Sequence, residues 1–203
     1  MTGRRLRRRC AVGVAVLLVP ATSHGHLVNT GLGPFYDGVS HFVLTPEDLL
    51  PALALALLAG QRGSRAGRYT LFALPLAWLL SGLVGLALPM MSDAPALTAV
   101  SFVALGGLVA AEARLRPEWV CGLAALLGVV HGHLNGSAMS QAKLGTLGLV
   151  GIVSTLFMVV ALAAAMVVAI RVPWGRIAVR VAGSWIAAVG LLLLGWSLRG
   201  ATG

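Results

Sequence analysis

The chain has 203 residues, 58% of them hydrophobic and 10% charged, where a soluble domain carries about 25% charged residues. That deficit, with a mean hydropathy of +0.92, excludes a water-soluble globule and points to an all-α, polytopic membrane protein. The net charge of +9 does not imply nucleic-acid binding, because Arg4, Arg5, Arg7, Arg8 and Arg9 supply more than half of the excess at the extreme N-terminus.

These arginines precede a short apolar core beginning at Cys10, and small residues follow at Ala21, Ser23 and Gly25. This order predicts a signal peptide over residues 1–25, leaving His26 as the first mature residue. An outer segment, 26–44, would follow, and then a six-helix transmembrane domain over 45–203. Cys10 falls in the signal, so Cys121 is left alone and no disulfide framework exists.

Six apolar segments are expected as membrane helices, at 45–60, 69–90, 96–113, 119–131, 145–170 and 179–198. Their connections alternate in charge. Arg62, Arg65 and Arg68 mark the first, Arg114 and Arg116 the third, and Arg171 and Arg176 the fifth. The second has no positive charge and the fourth has only Lys143. Positive loops stay cytoplasmic, so the mature N-terminus belongs outside a bacterial inner membrane. Arg180 is expected to snorkel to the cytoplasmic interface. Glu112 is expected to pair at the surface with Arg114 and Arg116.

Two polar clusters then fall on the outer side. The first is His41, Glu47 and Asp48, around Thr45-Pro46. Thr caps a helix, Pro fits its first turn, and acids favour its positive end. Glu47 and Asp48 are therefore either ordinary helix-start residues or the lining of a site where a helix is broken. The second cluster is His131, Gly132, His133 and Asn135, at the end of an apolar run. Ionisable groups inside membrane segments are functional candidates, whereas histidines at the interface need only water and headgroups. His131 and His133 share no face of a regular helix, so they could bind an ion only if Gly132 breaks it, or with different partners. Imidazole with carboxylate suits nickel, cobalt, zinc or copper. Ser137, Ser140 and Lys143 read as an outer polar loop. No catalytic signature is present, and no enzyme is expected.

At these residues the chain resembles the HupE/UreJ family, hydrogenase and urease accessory membrane proteins regarded as nickel or cobalt permeases. The family's first motif reads His, five residues, then Asp-His; here His41 matches, Glu47 takes the Asp place and Asp48 the second His place. The second reads roughly Phe-His-Gly-x-Ala-His-Gly-x-Glu. Over residues 130–138 His131, Gly132 and Gly136 match, while Asn135 replaces the second His and Ala138 the Glu. The resemblance implies a permease for a divalent metal. Taken with the reading of the residues, the ion would be captured by His41, His131 and His133, with Glu47 and Asp48 compensating charge, Asn135 at the departed His position, and His26 delivering the ion. The alternative is an accessory metal-binding protein that works with metalloenzyme maturation proteins.

Overall fold

The computed structural model describes residues 30–89 and 95–200. The expected signal, Cys10 and His26 lie outside the described residues. Among the described residues there are seven helices and no strand. They are α1 (Pro34–Leu44), α2 (Pro46–Gln61), α3 (Ser64–Ala87), α4 (Pro95–Ala110), α5 (Pro117–Gln141), α6 (Gly145–Ala169) and α7 (Pro173–Gly200).

By length and composition α3, α5, α6 and α7 can each cross a membrane. The helices α1 and α2 meet at a bend of 72° and add a fifth crossing if taken as one broken span. The count of six crossings is not reached on length, because α4 has 16 residues, or about 24 Å of rise against a hydrocarbon core of about 30 Å.

Three boundaries differ from the sequence reading. The segment 26–44 contains α1, which packs on α6. The fourth apolar run does not stop at His131 but continues as helix to Gln141. The last helix begins at Pro173, so Arg176 and Arg180 lie within it. The extension of α5 has a physical cause. Away from water, backbone amides must be satisfied within the segment, so Gly132, Asn135 and Gly136 stay helical despite weak propensity. Ser137 is likewise helical, its hydroxyl donating to the His133 carbonyl at 3.0 Å, and Ser140 is on the same helix.

The helix α2 is the hub. Its residues from Ala54 to Gly60 are all buried, and it touches every other helix of the bundle. A helix apolar all round is a helix surrounded by protein. Its start is set by Pro46, which disfavours helical geometry at the residue before it. Thr45 is accordingly extended, with φ −103° and ψ 94°. Thr45 occupies the cap position without the expected side-chain hydrogen bond. Its carbonyl accepts instead, from the amides of Asp48 and Leu49 at 3.1 Å each.

The most extensive packing joins α3 and α5. Gly128, Gly132 and Gly136 recur every fourth residue along one face of α5. A Cβ at Gly132 would lie 2.4 Å from the Trp78 carbonyl oxygen, and one at Gly136 would lie 2.0 Å from that of Gly82. Only glycine permits this approach, the means by which helices pack tightly in lipid.

Arg62, Arg114 and Arg176 gather at one end of the bundle, where they line one cavity. Arg65 on α3 also reaches Glu118 on α5, at 3.4 Å. Glu112 pairs with Arg176 at 2.7 Å, not with Arg114 or Arg116 as expected. Arg180 is exposed and donates through Nε to the Ala110 carbonyl at 3.0 Å, capping the end of α4.

Candidate functional site

The two polar clusters do meet, but inside the bundle. Asp48 is 5% exposed and His131 is 1% exposed. His131 lies ten residues before the end of α5, about 15 Å along the axis. Its burial in protein removes the reading of His131 as a histidine solvated by water and headgroups. Asp48 Oδ1 and His131 Nδ1 are 2.9 Å apart, across 83 residues of sequence. The second oxygen, Oδ2, accepts from Asn135 Nδ2 at 2.8 Å, and the same amide nitrogen also donates to the His131 carbonyl at 3.0 Å.

Each placement follows from local structure. Pro46 starts α2 so that Asp48 sits in its first turn, where the helix dipole favours a carboxylate. Residues 131 and 135 are one helical turn apart on α5 and present together to that carboxylate. The glycine face of α5 brings α3 close enough for the Trp78 ring to lie 5.5 Å from the imidazole, centroid to centroid. Phe42 of α1 packs edge-on to Trp78 at 6.0 Å. Ser101 of α4 brings its hydroxyl to 3.4 Å from His131 Nε2. Asp48 therefore explains more than a helix start: its side chain joins α2 to α5.

The hydrogen bonding defines what the site can do. A carboxylate accepts only, so Asp48 fixes the proton of a neutral imidazole on Nδ1 and leaves the Nε2 lone pair toward Ser101. Asn135 Oδ1 is buried without a hydrogen-bond partner, and it is an oxygen donor beside the carboxylate.

The other expected residues are placed as follows. His41 is half-buried on α1, near enough to Asp48 and Glu47 for both charges to act on it. Glu47 is exposed. His133 points away from His131, about 200° around an unbroken helix, and its Nε2 is buried without a partner. Gly132 does not break the helix, which leaves His131 and His133 to different partners. Among the described residues no three or more His, Cys, Asp or Glu side chains are grouped to hold a metal ion.

Sequence reasoning missed Ser101 and Trp78. Neither sits in a polar motif, and only the packing of α3 and α4 brings them to His131. The repeat of Gly128, Gly132 and Gly136 was the available signal for the close approach of α3.

The sequence model of the HupE / UreJ protein family matches residues 13–193. The chain belongs to the HupE/UreJ family. No curated protein and no solved structure matches it. The HupE/UreJ family is associated with nickel or cobalt transport or with accessory roles, and its members are not known as enzymes. The Asp48–His131 pair joins one position from each of the two motif regions by which the chain resembles the family.

Proposed function

We propose that this protein is a permease for a divalent transition-metal cation, nickel or cobalt first, and that Asp48 and His131 receive the cation within the bundle. The observation that carries the reading is the buried 2.9 Å pair between these two side chains. Ionisable groups enclosed among membrane helices are costly, and they mark ion pathways where they occur. Asp48 supplies negative charge to a dehydrating cation. His131 Nε2 supplies the borderline-soft nitrogen that nickel and cobalt favour over calcium or magnesium. Ser101 and Asn135 offer neutral oxygens. Two strong donors among neutral ones hold an ion weakly, and passage requires an ion that can leave as well as enter. His41 and Glu47 form the approach, and His26 and His133 remain candidates for capture. Copper and zinc share the donor preference and are the competing ions.

An accessory, non-transporting role is the second reading. It is favoured by Asn135, which donates to Asp48 where the family motif has a second imidazole. Cellular accumulation separates the two. Cells expressing the protein should accumulate nickel or cobalt above control cells, and His131→Gln should abolish the excess while retaining membrane expression. Metal binding without any accumulation would select the accessory role.

The arginine-bearing end is assigned to the cytoplasm of a bacterial inner membrane, with residues 1–25 acting as a cleaved signal. In a Cys121→Ala background, a cysteine replacing exposed Lys143 should react with an impermeant thiol reagent in intact cells, and one replacing exposed Ser64 should not. The opposite pattern would invert the orientation. N-terminal sequencing should begin at or near His26, and a retained Thr2 would remove His26 from any role as a free amine.

A further inference from the structure

At the end of α2 remote from Asp48 lies a polar cavity of about 580 Å³. Its lining includes Arg62, Arg114, Arg176 and Arg180, against the single carboxylate of Glu112. Pro173, Arg176, Ile177 and Arg180 of α7 also line it, a spacing that places one helix face toward the cavity. The N-terminus of this long helix adds the positive end of its dipole.

Most of the internal bonds here use up acceptors. Arg176 holds Glu112 at 2.7 Å. Arg180 holds the Ala110 carbonyl at 3.0 Å, and Gln61 Nε2 holds that of Val109 at 3.1 Å. What remains is the neutral acceptor Gln61 Oε1, buried without a partner, and guanidinium charge that the one carboxylate does not balance. Arg62 Nε is buried without a hydrogen-bond partner, and among the described residues neither Arg62 nor Arg114 forms an ion pair. Water can satisfy one N–H, but it does not balance several guanidiniums drawn together. A cation is repelled.

We propose that this cavity binds a phosphate-bearing anion. Guanidinium forks match the several oxygens of a phosphate better than any single-point acceptor. Basic pockets between membrane helices suit phospholipid headgroups, and a free phosphate offers the same chemistry. This inference is independent of the metal reading, because it uses none of the residues of the Asp48 cluster.

The test is thermal stabilisation of the purified full chain in zwitterionic detergent, with retained ligand counted by native mass spectrometry. One arm titrates inorganic phosphate. The other titrates phosphatidylglycerol mixed with phosphatidylcholine. The paired variant Arg62→Gln/Arg114→Gln should weaken binding by about tenfold or more per guanidinium removed. The control pair Arg68→Gln/Arg171→Gln makes the same charge change at exposed arginines outside the cavity lining and should leave affinity unchanged. Arg114→Gln alone, on an exposed side chain, keeps the test open if the pair does not fold. Whichever probe shows this selective loss identifies the source of the phosphate. Equal loss in the cavity and control variants, or no saturable stabilisation by either probe, overturns the proposal.

Discussion

The two ends of α2 are built on opposite rules. At its start, Asp48 is enclosed and both its oxygens are engaged, by His131 and by Asn135. At its finish, Gln61 Oε1 and Arg62 Nε are buried without partners beside a cavity of like charges. The first end behaves as part of the core, where removing one partner strands the other. The second is held by exposed or half-exposed pairs that solvent screens. One apolar helix thus links a closed cluster built around a carboxylate to an open one built around guanidiniums.

The largest expected effect comes from the scaffold beneath the closed end. Replacing Gly136 by Val drives a branched side chain into the Gly82 carbonyl, where even a Cβ would approach to 2.0 Å. Such overpacking costs about 1–3 kcal/mol or more, and backbone on both sides leaves little room to yield. The variant should lose its monodisperse peak in size-exclusion chromatography or melt many degrees lower. Gly122→Ala, with no atom within 4 Å of the added Cβ, should be neutral. A normal melt for Gly136→Val would mean that α3 and α5 are not held this closely.

Next in size is the cluster itself. Asp48→Ala leaves His131 Nδ1 and the Asn135 amide facing no acceptor, and a buried donor left unsatisfied costs about 1–3 kcal/mol. Asp48→Asn keeps the shape and one acceptor and should cost visibly less. Thermal melts of the two variants check the order, and equal melts would place Asp48 in water rather than in the bundle.

The smallest effect belongs to the arginine end. Arg65→Gln removes a 3.4 Å pair to Glu118 whose side chains are 63% and 51% exposed, and exposed pairs are worth about 0–1 kcal/mol. Its melt should barely move, and a loss comparable to that of Asp48→Ala would erase the contrast between the two ends.

Fold class was readable from the sequence because hydropathy alone marks apolar helices. Helix ends were not. His131 and Asn135 looked like the edge of a span, since polar residues are expected at the interface. Burial against Asp48 supplies the partners that keep them inside. The bend at Thr45 was readable as a possibility from Pro46, but its 72° depends on how α1 docks on α6, where a Cβ at Gly38 would meet the Gly148 carbonyl at 2.0 Å. The meeting of the two motif regions was expected at a bilayer face. It occurs mid-helix, because the first turn of α2 approaches the middle of α5. Ser101 and Trp78 carried no motif and became visible only through packing.

The central claim is that Asp48 and His131 act as one cation-receiving unit. Nickel titration of the purified protein tests it most directly, using wild type, Asp48→Asn, His131→Gln and the double variant, each with its fold verified by thermal melt. Each single variant should lose affinity by about tenfold or more, and the double variant should be little worse than either, as expected for two groups serving one site. A folded double variant that binds nickel as tightly as wild type would contradict the account and leave the buried pair as a purely structural bond between α2 and α5.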